Sequence, residues 1–140
     1  METKDIISLI CKIRYKANRF IINEMDRYGM KGFATSHGDI LCQLLKNEKL
    51  TMKELSEKVG KDKSTITALV NKLVDQGYVE KVRDEQDSRI VFVMLTEKGR
   101  GIGPVFNKIS DELIKTVYKD IPDQEREELV KTLLKIKNNF

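Results

Sequence analysis

The chain has 140 residues, 40% hydrophobic and 34% charged, with a formal net charge of +4. That length suits one domain, no apolar run approaches the roughly 18 to 20 residues of a membrane span, and the N-terminal stretch interleaves charge with apolar residues, unlike a secretory signal. Two cysteines and one histidine are too few for a disulfide scaffold or the usual zinc spacings, and no nucleophile, base and orienting group come together, so the expectation is a cytoplasmic, unprocessed protein with no catalytic residues, no metal site and no cofactor.

Residues 4 to 28 place Ile6, Ile10, Ile13, Ala17 and Phe20 at spacings of three and four, which predicts a long amphipathic helix stopped by Gly29 and Gly32. Such a helix runs roughly 37 Å, against a radius of gyration near 14 Å for a compact domain of this size. Much of its apolar face therefore needs a second subunit to cover it. Ser36 and Asp39 have the spacing of a capping box for a second helix carrying Ile40, Leu41, Leu44 and Leu45. Thr51 and Glu54 make a stronger box for a third, short helix with Met52, Leu55 and Val59, and Gly60 stands where a left-handed C-cap is needed. Asp62 caps a fourth helix, in which Ile66, Leu69, Val70 and Leu73 line one face before Gly77 ends it. Two short helices joined by a tight turn are a helix-turn-helix candidate.

From residue 79 the period changes. Residues 79 to 83 and 90 to 95 are rich in β-branched and apolar residues around a polar DEQDS turn, which predicts a hairpin, or wing. Thr96 caps a helix running to about Lys119 that is kinked or loosened where Gly101, Gly103 and Pro104 cluster. A last helix begins at Pro122, with acidic residues in its first turns and Leu129, Leu133 and Ile136 along one stripe. The fold class is mainly α: a winged helix-turn-helix with a small β-hairpin wing and long N- and C-terminal helices.

On the fourth helix, Ser64, Ala68, Asn71 and Asp75 lie opposite the core stripe, flanked by Lys61, Thr67 and Lys72. Serine and asparagine can bond base edges, alanine and threonine methyls can touch a thymine methyl, and lysines at the margin can neutralise phosphates. The first turn enters a groove deepest, so base contacts fall to Ser64, Thr65 and Ala68 before Asp75, with Lys61, Lys63, Lys72 and Arg89 on phosphates or in a minor groove. In the wing, Asp87 is read as accepting hydrogen bonds from Arg83 across the turn while Arg89 projects outward. A solvated helix face and a surface ion pair are the plainer readings of these residues, and a winged module that binds another protein is the alternative function.

Residues 51 to 100 resemble the core of the MarR family of bacterial and archaeal transcriptional regulators. The residues that carry the resemblance are the run Lys61-Asp62-Lys63-Ser64-Thr65, Leu73 followed by Gly77-Tyr78-Val79, Arg83-x-x-x-Asp87-x-Arg89, and Leu95-Thr96-Glu97-Lys98-Gly99. The resemblance implies one domain over 1–140, with a DNA-binding lobe at 34–97 and dimerisation helices at 1–31 and 98–140. It also implies a homodimer on a pseudo-palindromic site in double-stranded DNA, with a small ligand or oxidant that resets the spacing between lobes.

Cys11 and Tyr15, one turn apart, are placed like a cysteine and tyrosine of the family's peroxide-sensing branch, although a second tyrosine of that branch would fall near Met25. A redox sensor and a packed cysteine are both open for Cys11, and packing is the reading for Cys42. His37 either lines a ligand cleft or is a capping or exposed histidine.

Overall fold

A computed structural model describes residues 1–140. After a 3-10 turn at Thr3–Asp5, seven α-helices and three short strands follow one another as α1 (Ile6–Arg27), α2 (Thr35–Lys46), β1 (Leu50–Thr51), α3 (Met52–Val59), α4 (Lys63–Asp75), β2 (Val79–Arg83), β3 (Val91–Leu95), α5 (Glu97–Arg100), α6 (Gly103–Val117) and α7 (Asp123–Asn138). The strands form an antiparallel sheet in the order β1-β3-β2, with Leu50 opposite Val93 and Val79 opposite Leu95. The two-residue strand β1 is too short to leave a periodic trace, and it was not expected from the sequence.

The expected caps explain where the middle helices begin. Thr51 Oγ1 accepts from Glu54 N at 3.1 Å while Glu54 returns a carboxylate to Thr51 N, and Gly60 closes α3 at φ 73°. Asp62 Oδ1 accepts from Thr65 N at 2.7 Å and opens α4. These bonds satisfy backbone donors that a helix start leaves without partners. The core forms where the apolar faces of α2, α3 and α4 meet the sheet: Ile40, Leu41, Leu55, Ile66, Val70, Leu73 and Val93 are completely buried.

The start of α2 differs from expectation. Thr35 already belongs to the helix, so the cap is Ala34 rather than Ser36, and the side chain that reaches back is His37 rather than Asp39. Ala34 N donates to His37 Nδ1 at 2.8 Å. Of the readings of His37, the capping one holds, and the side chain is buried rather than exposed. Accepting at Nδ1 requires the neutral imidazole, and burial, followed by the charge of Lys72, lowers its pKa from the ordinary 6.5.

The sign of the pH dependence follows. An unfolded histidine protonates near 6.5, while the folded one resists until a lower pH, so the unfolded chain binds more protons between those values. The contribution of His37 to stability is complete above about pH 6.5 and is lost as pH falls toward the lowered folded value. Urea unfolding at pH 7.5 and 5.5 should show a lower midpoint at the acidic value. His37→Gln, which keeps an acceptor for Ala34 N without titrating, should flatten the difference; an equal difference in both proteins would remove His37 as its source.

The loosened segment after the wing takes the form of a break between α5 and α6. Proline has no N–H to donate to the carbonyl four residues back, and its ring crowds that carbonyl. From Pro104 that residue is Arg100, where α5 ends, and Pro104 itself sits in the first turn of α6. At the far end of α6, Arg126 donates to Ile121 O at 2.7 Å and Tyr118 O at 3.1 Å and lies over the Tyr118 ring, which holds the turn into α7.

The terminal helices bury little within one protomer. Met25 is the single buried residue of α1, Ile109 that of α6, and α7 has none. Ile7, Ile13, Ile114, Val117, Leu129, Val130, Leu133 and Leu134 are all exposed. No helix is long and apolar enough to cross a membrane.

Candidate nucleic-acid interface

α4 presents Lys63, Ser64, Thr65, Ala68 and Asn71 to solvent at its N-terminal half and along its outer face, since the opposite face is anchored by Ile66, Val70 and Leu73, and Lys61 is exposed in the turn just before its cap. Ser64 Oγ donates to Asp62 Oδ1 at 2.9 Å, so the hydroxyl has spent its proton on the cap and offers lone pairs outward. The backbone bond from Thr65, with further bonds from the Thr65 and Ser64 side chains, lowers the pKa of the Asp62 carboxyl and keeps this cap ionised. Thr67 is half-buried and donates to Lys63 O at 2.8 Å, leaving its methyl as the free contact.

Two side chains expected on this face are otherwise engaged. Lys72 turns inward: its Nζ donates to Gly32 O and lies 5.2 Å from the Phe33 ring centroid, so it ties α4 to the segment entering α2 instead of standing free for a phosphate. Phe33 in turn meets His37 and Tyr78 edge to face, at 5.1 and 5.6 Å between centroids. Asn71 Oδ1 accepts from Lys81 Nζ at 2.7 Å, a bond from β2 to the recognition face. Lys81 lies outside the residues singled out in the sequence, yet the period of two along β2 could have found it. Val79 faces the core, so Lys81 and Arg83 share its side.

The wing tip also differs from expectation in its pairing. Asp87 is bound by Arg89, not by Arg83: Arg89 Nε donates to Oδ1 and Nη2 to Oδ2, both at 3.1 Å, while Arg89 N donates to Oδ1 at 3.0 Å. Arg83 Nη1 donates to Ser88 O. The reason is register. The ladder ends with Arg83 opposite Val91, which leaves Asp87 inside the turn, two residues from Arg89 along the chain. The Arg89 side chain and backbone N–H lower the pKa of Asp87, yet the Arg89 side chain remains 88% exposed. The guanidinium is thus oriented at the tip without being buried.

Beneath this face, α5 clasps the turn between α4 and β2. Thr96 Oγ1 donates to Gly77 O, Thr96 N donates to Tyr78 O at 3.1 Å, and Lys98 Nζ donates to Gln76 O at 2.7 Å while lying over the Tyr78 ring. The wing and the recognition helix therefore share one support.

Away from this face, a cavity of about 170 Å³ lies between α1, α2 and α6, lined mainly by apolar side chains such as Ile21, Met25, Phe106 and Leu113. Cys42 is on its wall, where burial, and secondarily the charge of Asp39, pushes the thiol above its usual range and away from thiolate reactivity. Cys11 is exposed on α1, as is Tyr15.

Comparison with known proteins agrees with this arrangement. The family described as transcriptional regulator SarA/Rot matches residues 34–103. The HTH-type transcriptional regulator SarZ of Staphylococcus haemolyticus is 32% identical over 133 residues, 94% of this chain and 89% of the relative. A MarR transcriptional regulator from Methanosarcina mazei has the same fold at a TM-score of 0.82 and 28% identity, across 98% of this chain and 96% of that one. A mutant MarR from E. coli complexed with operator DNA superposes at a TM-score of 0.81, across 97% of this chain and 99% of that one, and at 22% identity it shows the fold. With a match from before α2 to the start of α6 and a relative sharing nearly a third of its residues end to end, the chain belongs to the SarA/Rot family of transcriptional regulators, built on the MarR winged-helix fold.

Proposed function

We propose that this protein is a cytoplasmic homodimer that reads a pseudo-palindromic operator in double-stranded DNA through α4 and grips the flanking minor groove with Arg89. Residues 34–97 form the reading lobe, and 1–31 with 98–140 hold the two lobes together. The observation that carries the proposal is the concurrence, on one support, of an exposed helix face of small and amide side chains with an exposed guanidinium at the wing tip. The apolar side chains left uncovered on α1, α6 and α7 support the dimer, and a twofold pair sets its recognition helices about one DNA turn, or 34 to 36 Å, apart. Base contacts fall to Ser64, Thr65, Ala68 and Asn71, phosphate contacts to Lys61 and Lys63, and the methyl of Thr67 packs against the groove wall. Arg83 and Asp87 shape the turn from which Arg89 reaches. A small apolar effector in the cavity among α1, α2 and α6 would act on lobe spacing, because the cavity sits where the long helices meet the reading lobe.

Selection of bound fragments from random DNA, repeated with small aromatic acids and with peroxide, tests reading, dyad symmetry and signal together. On a selected fragment, roughly 6 to 10 neutralised phosphates per dimer should give a slope of log affinity against log salt of about −5 to −9. Arg89→Ala should weaken binding about tenfold with thermal unfolding unchanged. A slope near zero, with Arg89→Ala binding like the parent, points instead to a module for protein partners.

A further inference from the structure

We infer that Lys81 biases which bases Asn71 reads, by setting an ammonium against its amide oxygen. The inference rests on the reading of α4 as the DNA-recognition helix and adds a rule of specificity to it.

An ammonium carries donors alone, so the Asn71 atom that Lys81 Nζ meets at 2.7 Å is the carbonyl oxygen, and the amide nitrogen is left without a protein partner on the exposed face. Lys81 is well held for this task. Its backbone lies in the middle of the β2–β3 ladder, opposite Val93, and its side chain shares the side of β2 that carries Val79 into the core. Between α4 and the wing is a notch lined by Thr67, Lys81 and Arg83, and the Lys81 head group crosses it to α4. Arg83, its neighbour on that side, reaches toward the turn and Ser88 O, which leaves Lys81 as the basic side chain joining β2 to the recognition face.

An asparagine reads adenine through two bonds at once, its oxygen accepting from N6 and its nitrogen donating to N7. With one lone pair of the Asn71 oxygen taken by an ammonium, an incoming amino group meets a positive charge and a second donor at the remaining one, and that bidentate reading is weakened. The nitrogen and the ammonium side by side suit an edge with two adjacent acceptors. In the major groove that edge is guanine, with N7 and O6. Lys81 is a positioning residue in this scheme, and guanine over adenine is the preference it imposes at the base pair under Asn71.

The test is selection from random duplex DNA by the full-length parent, Lys81→Met, Lys81→Arg and Asn71→Ala. The parent should enrich guanine at one position of each half-site, and Asn71→Ala should lose that preference. Lys81→Met, which frees the amide oxygen at an exposed site, should move the guanine-to-adenine ratio at that same position about tenfold toward adenine. Lys81→Arg keeps a donor on the oxygen and should retain guanine. Base preferences identical in Lys81→Met and parent, with affinity lowered for every sequence and a shallower salt slope, would make Lys81 a simple phosphate ligand and overturn the inference alone. Failure of the parent to enrich any sequence would overturn the DNA-reading proposal itself, which is a different result.

Discussion

Gly99→Ala should lower the stability of the protein by about 3 kcal/mol, a fall in Tm of about 10 °C for a chain of this length. A Cβ built on Gly99 lies 2.0 Å from the carbonyl oxygen of Tyr78 and 3.0 Å from Leu95 Cδ2. The first of these contacts sets a Cβ, whose position the backbone fixes, against a backbone oxygen, so no rotamer change relieves it. Relief requires lifting α5 from the turn between α4 and β2, which breaks the bonds of Thr96 to Gly77 O and Tyr78 O and of Lys98 to Gln76 O. Tyr78 is itself buried against Phe33, so the other side of the contact cannot retreat without disturbing the core. Gly101→Ala is the control. There a Cβ meets Lys98 O at 3.4 Å and the backbone is already helical, so the change should be neutral or mildly stabilising through lower entropy of the unfolded chain. Thermal unfolding of the two variants checks the prediction, and equal stability would mean that α5 is free to shift.

Leu133→Glu should convert the proposed dimer to monomers at micromolar concentration. In the protomer Leu133 belongs to an uncovered stripe on α7 with Leu129, Val130 and Leu134, and is 39% exposed. A leucine buried by the partner contributes about 2 kcal/mol, and twofold symmetry counts each substitution twice. The sum of about 4 kcal/mol corresponds to roughly a thousandfold rise in the dimer dissociation constant. Operator affinity should fall with it, because two lobes joined at fixed separation bind more tightly than two independent ones. Sedimentation equilibrium reads the mass directly. A dimer of unchanged strength would place the interface away from α7 and move attention to the exposed stripe of α1.

The two large effects have different origins in the chain. The Gly99 contact depends on residues about twenty positions apart, Gly77 and Tyr78 against Thr96 to Gly99, and a short motif at each place shows neither the distance nor the direction of approach. The α7 stripe is different. Its spacing of Leu129 and Leu133 is visible in one turn and a half of helix, and the structure adds that nothing within the protomer covers it.

The recognition face shows the same division. That Ser64, Ala68 and Asn71 lie opposite the core follows from a period of 3.6 residues, and the structure has them exposed. The assignment of Asp87 to Arg83 failed because two arginines near one carboxylate are equivalent in a string of residues. The register of the hairpin, ending at Arg83 opposite Val91, is what separated them. Likewise the cap of α2 was misplaced because Ser36 and Asp39 have the right spacing, while the entry of the chain past buried Phe33 starts the helix earlier and brings His37 to Ala34 N.

The amino-acid sequence by itself determined the helix starts at Thr51 and Asp62, the left-handed stop at Gly60, the disturbance of the helix near Pro104 and the outward face of α4. The first four depend on bonds or clashes closed within three to five residues, where covalent geometry leaves few alternatives, and the last on the helical period alone. Only the tertiary structure decided the partner of Lys72, the bond from Lys81 to Asn71, the pairing of β1 with β3 and the seat of Gly99 on Tyr78. Long cationic side chains and short strands carry little preference of their own. Their partners are whatever the packing of the apolar core brings within reach, and Lys72 and Gly32 are forty residues apart in the chain.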